Sequence, residues 1–195
     1  MNKYLLPMVA AVTFALPTAA SAQALPAAVV AVVDIQRATT SCNACKTALN
    51  QLEVQVNSLK ALQTSLENSL RTEATSIQTA VNALAGKQPD AALTARVQAF
   101  EKKQADSQRQ LQTREQTFQR NRAYVLQQIG QKLDPVLTTV LARRNATVML
   151  DSATVVRSIP AIDVTNDVIA ALNTSLTTVA TTAPAPAPAP APKGR

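Results

Sequence analysis

Two cysteines, Cys42 and Cys45, stand in the stretch SCNACK, and no other cysteine occurs in the 195 residues. A Cys-x-x-Cys pair serves thiol oxidoreductases and contributes to metal sites. A redox pair of this kind sits in a thioredoxin-like βαβ unit, and no parallel strand with a crossover follows here at the right distance. A metal site needs further ligands, and the chain has no third cysteine and no histidine. The pair lies at the start of an expected helix, a position that lowers a thiol pKa and leaves reactivity open. The expected state is a local disulfide that pins the first turn of that helix. By loop entropy such a short loop contributes at most about 2 kcal/mol. No catalytic role is expected for either residue.

The missing residue types exclude further chemistry. Without histidine there is no Ser-His-Asp triad and no Cys-His pair. The three glycines, Gly86, Gly130 and Gly194, build no phosphate-cradling loop of the G-x-x-x-x-G-K-[ST] kind. No cofactor and no enzymatic activity are expected. What remains is charge. The formal net charge is +7, and the segment 87–144 holds eleven basic residues against five acidic ones. Lys102, Lys103, Arg109, Arg114, Arg120 and Arg122 are the candidate contact residues within it. A basic stripe suits acidic protein surfaces, anionic lipid or nucleic acid.

The export signal decides among these partners. Lys3, the apolar run Leu5–Leu16 and the Ala20-Ser21-Ala22 site read as a signal peptide, residues 1–22. The apolar run is shorter than the roughly 20 residues of a membrane span. The mature chain is expected in the periplasm, an oxidising compartment that favours the disulfide. No physiological nucleic-acid partner is expected there. An anionic lipid or membrane surface remains open.

The elements that carry these residues are legible from periodicity. AVVAVVDI, residues 28–35, reads as a buried strand. Thr39, Thr40 and Ser41 then offer caps for a helix starting near Ser41. Leu49, Leu52, Val56, Leu59, Leu66, Leu70, Ile77 and Leu84 repeat in alternating steps of three and four, which places Gln63, Glu73 and Ala80 in the same stripe. Such a helix, about 45–85, is a rod of about 60 Å. AGKQPDA ends it, and Asp90 is positioned to cap a second helix running towards Arg143. Its apolar side is thin between Phe100 and Phe118, where Gln104, Ser107 and Arg114 interrupt it, and Asp134-Pro135 is a candidate kink. Together the two rods make an αα-hairpin, about 42–143.

After Arg144 the period changes. Residues 146–151 and 154–157 read as two further strands, which the strand at 28–35 must join. So small a sheet keeps open edges that other subunits would close. A last helix, about 164–176, follows with Asp163 or Thr165 as its cap. The Ala-Pro-rich tail, 177–195, reads as disordered and extended. The fold class is therefore α+β, mostly α: a small β-body with a long antiparallel helical hairpin.

Three stretches, VAVVDIQRA (30–38), QTFQRNRAYVLQQIGQKLDPVL (116–137) and ATVMLDSATVVRSIPAIDVTNDVIAALN (146–173), occur in an order and at spacings that resemble the OmpH/Skp family of periplasmic chaperones. The resemblance spans about residues 28–176. It implies a jellyfish-like homotrimer in which the body joins the subunits and the arms surround a cavity. It further implies an ATP-independent holdase that keeps unfolded outer-membrane proteins from aggregating. The cysteine pair is not something the resemblance requires. The alternative functions are a trimeric coiled-coil spacer of the envelope, whose tail touches wall or membrane, a thiol oxidoreductase, and a nucleic-acid binder.

Overall fold

The computed structural model describes residues 27–185. The expected signal peptide and the last ten residues lie outside them. Strand β1 (Val30–Val33) is followed by a short helix α1 (Ile35–Ser41) and the two rods α2 (Asn43–Ala83) and α3 (Ala91–Arg143). Strand β2 (Val148–Asp151) and helix α4 (Thr165–Ser175) complete the element order, with single 3-10 turns at Ser152–Thr154 and Pro160–Ile162. The result is a mostly helical chain with a two-stranded sheet.

The sheet is parallel, with Val30 opposite Val148 and Val33 opposite Asp151. Parallel neighbours need a long crossover, and here the whole hairpin is that crossover. On the other side of β1, Val164 donates its N–H to the Val32 carbonyl at 2.9 Å. A single parallel bridge, Val32 to Asp163, forms there. This corrects the expected strand at 154–157. The Asp151 carboxylate accepts from the Ala153 N–H at 3.0 Å, and Thr154 Oγ1 donates to the Asp151 carbonyl at 2.8 Å. These side-chain bonds turn the chain into the first 3-10 turn before any strand can pair. Val156 is left 98% exposed and Ile159 exposed beside it.

The arm also starts differently from expectation. Thr39 and Thr40 lie inside α1, where their hydroxyls bond back to the carbonyls of Ile35 and Gln36. Asp34 caps α1 through a 2.7 Å bond from the Arg37 N–H. The break falls at Cys42, which is extended (φ −65°, ψ 148°) and ends one helix while opening the next. Its sulfur accepts from the Cys45 N–H at 3.1 Å, and Asn173 of α4 accepts from the Asn43 N–H at 2.7 Å. Two of the orphan donors of α2's first turn, on Asn43 and Cys45, are therefore met from two elements.

The rods carry the stripe read from the sequence. Leu59, Leu66, Leu70, Glu73, Ile77, Ala80 and Leu84 are half-buried in turn along α2. The exception is Gln63, which is exposed and bonds Glu67 at 2.8 Å, while Leu62 takes its place. At the tip, Ala85 and Gly86 both take positive φ, 48° and 89°, which reverses the chain. Asp90 then caps α3 through the Leu93 N–H at 2.7 Å. The helix continues through Pro135.

The core lies at the base of the hairpin. Ala48 and Leu52 of α2 meet Val125, Ile129, Val136 and Val140 of α3, with Val168 and Leu172 of α4 and Val33 of β1 closing over them. Towards the tip, Leu93 is the one apolar side chain of α2 and α3 that becomes buried. A salt bridge from Arg144 to Asp167, 2.5 Å, joins the foot of α3 to α4. The chain beyond α4 is ordered as far as it is described, through Ala185. The expected disordered tail from residue 177 is corrected in that stretch.

Candidate functional site

The six candidate basic residues do not share one face. With 3.6 residues per turn, Lys102, Arg109 and Arg120 fall on the side of α3 turned away from α2, and all three are exposed. Lys103 and Arg114 fall on one flank of the hairpin seam, and Arg122 on the other. Arg109 is engaged along its own helix with Asp106. Lys103 is half-buried and reaches Glu73 of α2, Nζ to Oε2 2.9 Å. It is thus an interhelical tie in a part of the stripe that lacks apolar pairs, not a free cation. Gln104, expected in the stripe, is exposed; Lys103 occupies that turn instead. Ser107 is the one buried α3 residue between Leu93 and Asn121.

Below that thin stretch the seam opens into a cleft of about 530 Å³ between α2 and α3. Leu59, Leu62, Val54 and Phe118 give it apolar walls, and Gln110 and Arg114 stand at the side towards the tip. Arg114, of the six, is the one brought to this cleft. The opposite end is closed by Thr182 of the C-terminal segment.

That segment is held by four amide side chains. Gln128 of α3 accepts from the Ala180 N–H at 3.0 Å and donates to the Ala180 carbonyl at 2.8 Å. Gln55 of α2 donates to the Thr181 carbonyl at 3.1 Å, and Gln51 accepts from the Thr181 hydroxyl at 2.7 Å. Asn121, buried in the seam, accepts from the Ala183 N–H at 2.9 Å and donates to Gln55 at 2.9 Å. Leu176 is buried below these bonds and Val179 half-buried. Sequence reasoning did not find this set. Glutamine recurs throughout both rods, and nothing in its spacing distinguishes Gln55 or Gln128 from the others.

Cys42 and Cys45 are joined as a disulfide, and both are fully buried at the junction of α1 and α2. They pack among Ala38, Ala48 and the α4 side chains of the core, away from the cleft. One carboxylate is electrostatically distinct. Thr165 gives Asp163 both its hydroxyl and its backbone N–H, the latter at 2.8 Å. These bonds, with a smaller contribution from Arg37, hold its pKa below the usual aspartate value of 3.8 against the opposing effect of burial. Thr165 Oγ1 also accepts from the Asp34 N–H at 2.9 Å. The group thus joins β1 to α4 and is a structural site. Among the described residues no group of three or more metal-ligating side chains exists, and no helix is long and apolar enough to cross a membrane.

A strand-bound body with a helical hairpin as its crossover defines an OmpH-like fold. The chain belongs to that family: the family described as "Outer membrane protein (OmpH-like)" matches residues 29–172. A crystal structure of an OmpH-like protein from Caulobacter crescentus CB15, itself proposed to be an outer membrane chaperone, superposes with a TM-score of 0.66 at 23% identity, over 80% of this chain and 90% of that one. At this identity the likeness is one of fold. No curated protein matches the chain.

Proposed function

We propose that this protein is an ATP-independent holdase of the periplasm that binds unfolded outer-membrane proteins and prevents their aggregation. The observation that carries the reading is the arm itself, in a chain of the OmpH-like family. Two helices of 41 and 53 residues project from a small core. Beyond that core their shared stripe is mostly half-buried. A surface that offers many weak apolar contacts along a rod retains an extended chain without fixing its conformation. Lys102, Arg109, Arg114, Arg120 and Arg122 add attraction to acidic clients, or to an anionic membrane surface, acting mainly on the rate of encounter.

The body supports assembly as a homotrimer. Val29, Val30, Val148, Leu150, Val156 and Ile159 are large apolar residues left exposed around the two-stranded sheet. The outer edge of β2 has no strand beside it among the described residues. Exposed apolar side chains beside an open sheet edge offer a surface that subunit contacts cover.

The test is light scattering of a urea-denatured outer-membrane β-barrel protein on dilution, without ATP. Suppression that saturates near one trimer per client supports the reading. No suppression at several-fold excess rejects it. A spacer of the envelope, by contrast, loses its role in cells when residues 177–195 are deleted, and does not suppress scattering.

A further inference from the structure

The C-terminal segment has a direction and an unfinished path. Ala180 sits at Gln128 and Ala183 at Asn121. Seven residues of α3 separate the two amides, about 10 Å of helix axis. Three residues of extended chain cover the same distance at about 3.3 Å each. The segment therefore runs almost straight towards the tip, antiparallel to α3, and reaches the cleft at Thr182. The sequence continues beyond Ala185 as alternating proline and alanine, from Pro186 to Pro192.

We propose that the tail is an intramolecular ligand of the hairpin, and that residues 186–188 fill the cleft between α2 and α3. Length agrees. From Asn121 to Arg114 is a further seven helical residues, again about 10 Å. At about 3.1 Å per residue of polyproline II, three to four residues past Ala183 bring Pro186 and Ala187 level with Arg114. Pro188 then stands near Gln110. Chemistry agrees too. Polyproline segments dock in apolar grooves with an aromatic wall, and Phe118 with Leu59 and Leu62 supplies such a groove. Proline brings no N–H, so the occupant presents mainly carbonyl acceptors. Arg114 and the Gln110 amide are donors placed at that end of the cleft. The occupant is pre-extended, which reduces the ordering cost of seating it.

The same cleft would otherwise lie open to an extended segment of another protein. The tail thus occupies part of the arm that a client chain would touch. This assignment concerns the chain alone and does not depend on the holdase reading.

The experiment uses the full chain in its oxidised form, so that Cys42 and Cys45 stay paired. Ala189→Cys takes a nitroxide, and leucine methyl groups carry the isotope label. The expected result is that the Leu59 and Leu62 methyl signals lose most of their intensity, whereas Leu93 near the tip keeps it. A sample mixing spin-labelled with isotope-labelled chains should show no such loss. Adding Gln128→Ala, which removes two of the bonds that hold the seated part, should restore part of the lost intensity. Full intensity at Leu59 and Leu62 in the doubly labelled chain overturns the proposal. Equal loss in the mixed sample overturns it as well, since the occupant is then another copy. Loss that Gln128→Ala leaves unchanged refutes the role given to the seated segment.

Discussion

Gln128 holds Ala180 through both ends of one side-chain amide, its oxygen 3.0 Å from the Ala180 nitrogen and its nitrogen 2.8 Å from the Ala180 carbonyl oxygen. This is the spacing of a strand partner, supplied by a helix. Each bond of this kind contributes about 1 kcal/mol net. Gln128→Ala should therefore speed amide exchange at Ala180 and, through the released chain, at Ala183. Exchange at Val125, in the core one turn away, should be unchanged. Residue-resolved hydrogen exchange reads all three.

The apolar packing that stabilises the subunit is concentrated at the base. Leu172 is fully buried against α1 and the hairpin, whereas Leu70 is half-buried in the stripe. Leu172→Ala should cost about 2–5 kcal/mol, the range for a large core deletion. Leu70→Ala should cost clearly less. Urea denaturation of the two variants at equal concentration measures the difference, and equal losses would contradict the placement of the core.

Lys103 and Glu73 tie the rods where apolar pairs are lacking. Both side chains keep about a third of their surface, 39% and 33%, so water and salt screen the pair. Lys103→Ala should cost no more than about 1 kcal/mol at low ionic strength. That cost should fall towards zero in about 1 M salt, where the screening length is about 3 Å. Paired urea titrations at the two salt concentrations give both numbers.

The disulfide closes a very short loop. Replacing both cysteines by alanine should lower stability by at most about 2 kcal/mol in the loop-entropy account. The same fall should follow from reducing the native chain. Suppression of client aggregation should persist in the variant. Loss of suppression with retained folding would return the cysteine pair to the centre of the function.

Asp163 makes stability depend on acid. Thr165 lowers its folded-state pKa, so the folded chain binds its proton less readily than the unfolded chain does. The stabilisation is complete above the unfolded value and is lost as pH falls through the folded one. The stability gap between native protein and Asp163→Asn should be constant above about pH 5. It should close as the pH is lowered beneath the ordinary aspartate range. Urea midpoints measured across that window test the sign.

The sequence by itself determined the rods. Alternating steps of three and four from Leu49 to Leu84, a Gly-Pro break and the Asp90 cap define two long antiparallel helices, because helical periodicity and capping are local properties. It also left out histidine-dependent sites, since the chain has no histidine. The tertiary structure decided the rest. Residues 154–157 have the composition of a strand, but Asp151 turns the chain first and β1 takes its second neighbour at Asp163. The basic residues read as one set, yet the turn of α3 sends Lys103 to Glu73 and Lys102 outward. The amide clamp on Ala180 and Ala183 joins residues 52 and 62 positions apart in the chain. No local pattern encodes such a contact. It forms because α2 and α3 lie side by side at the foot of the arm and α4 delivers the tail into the seam between them.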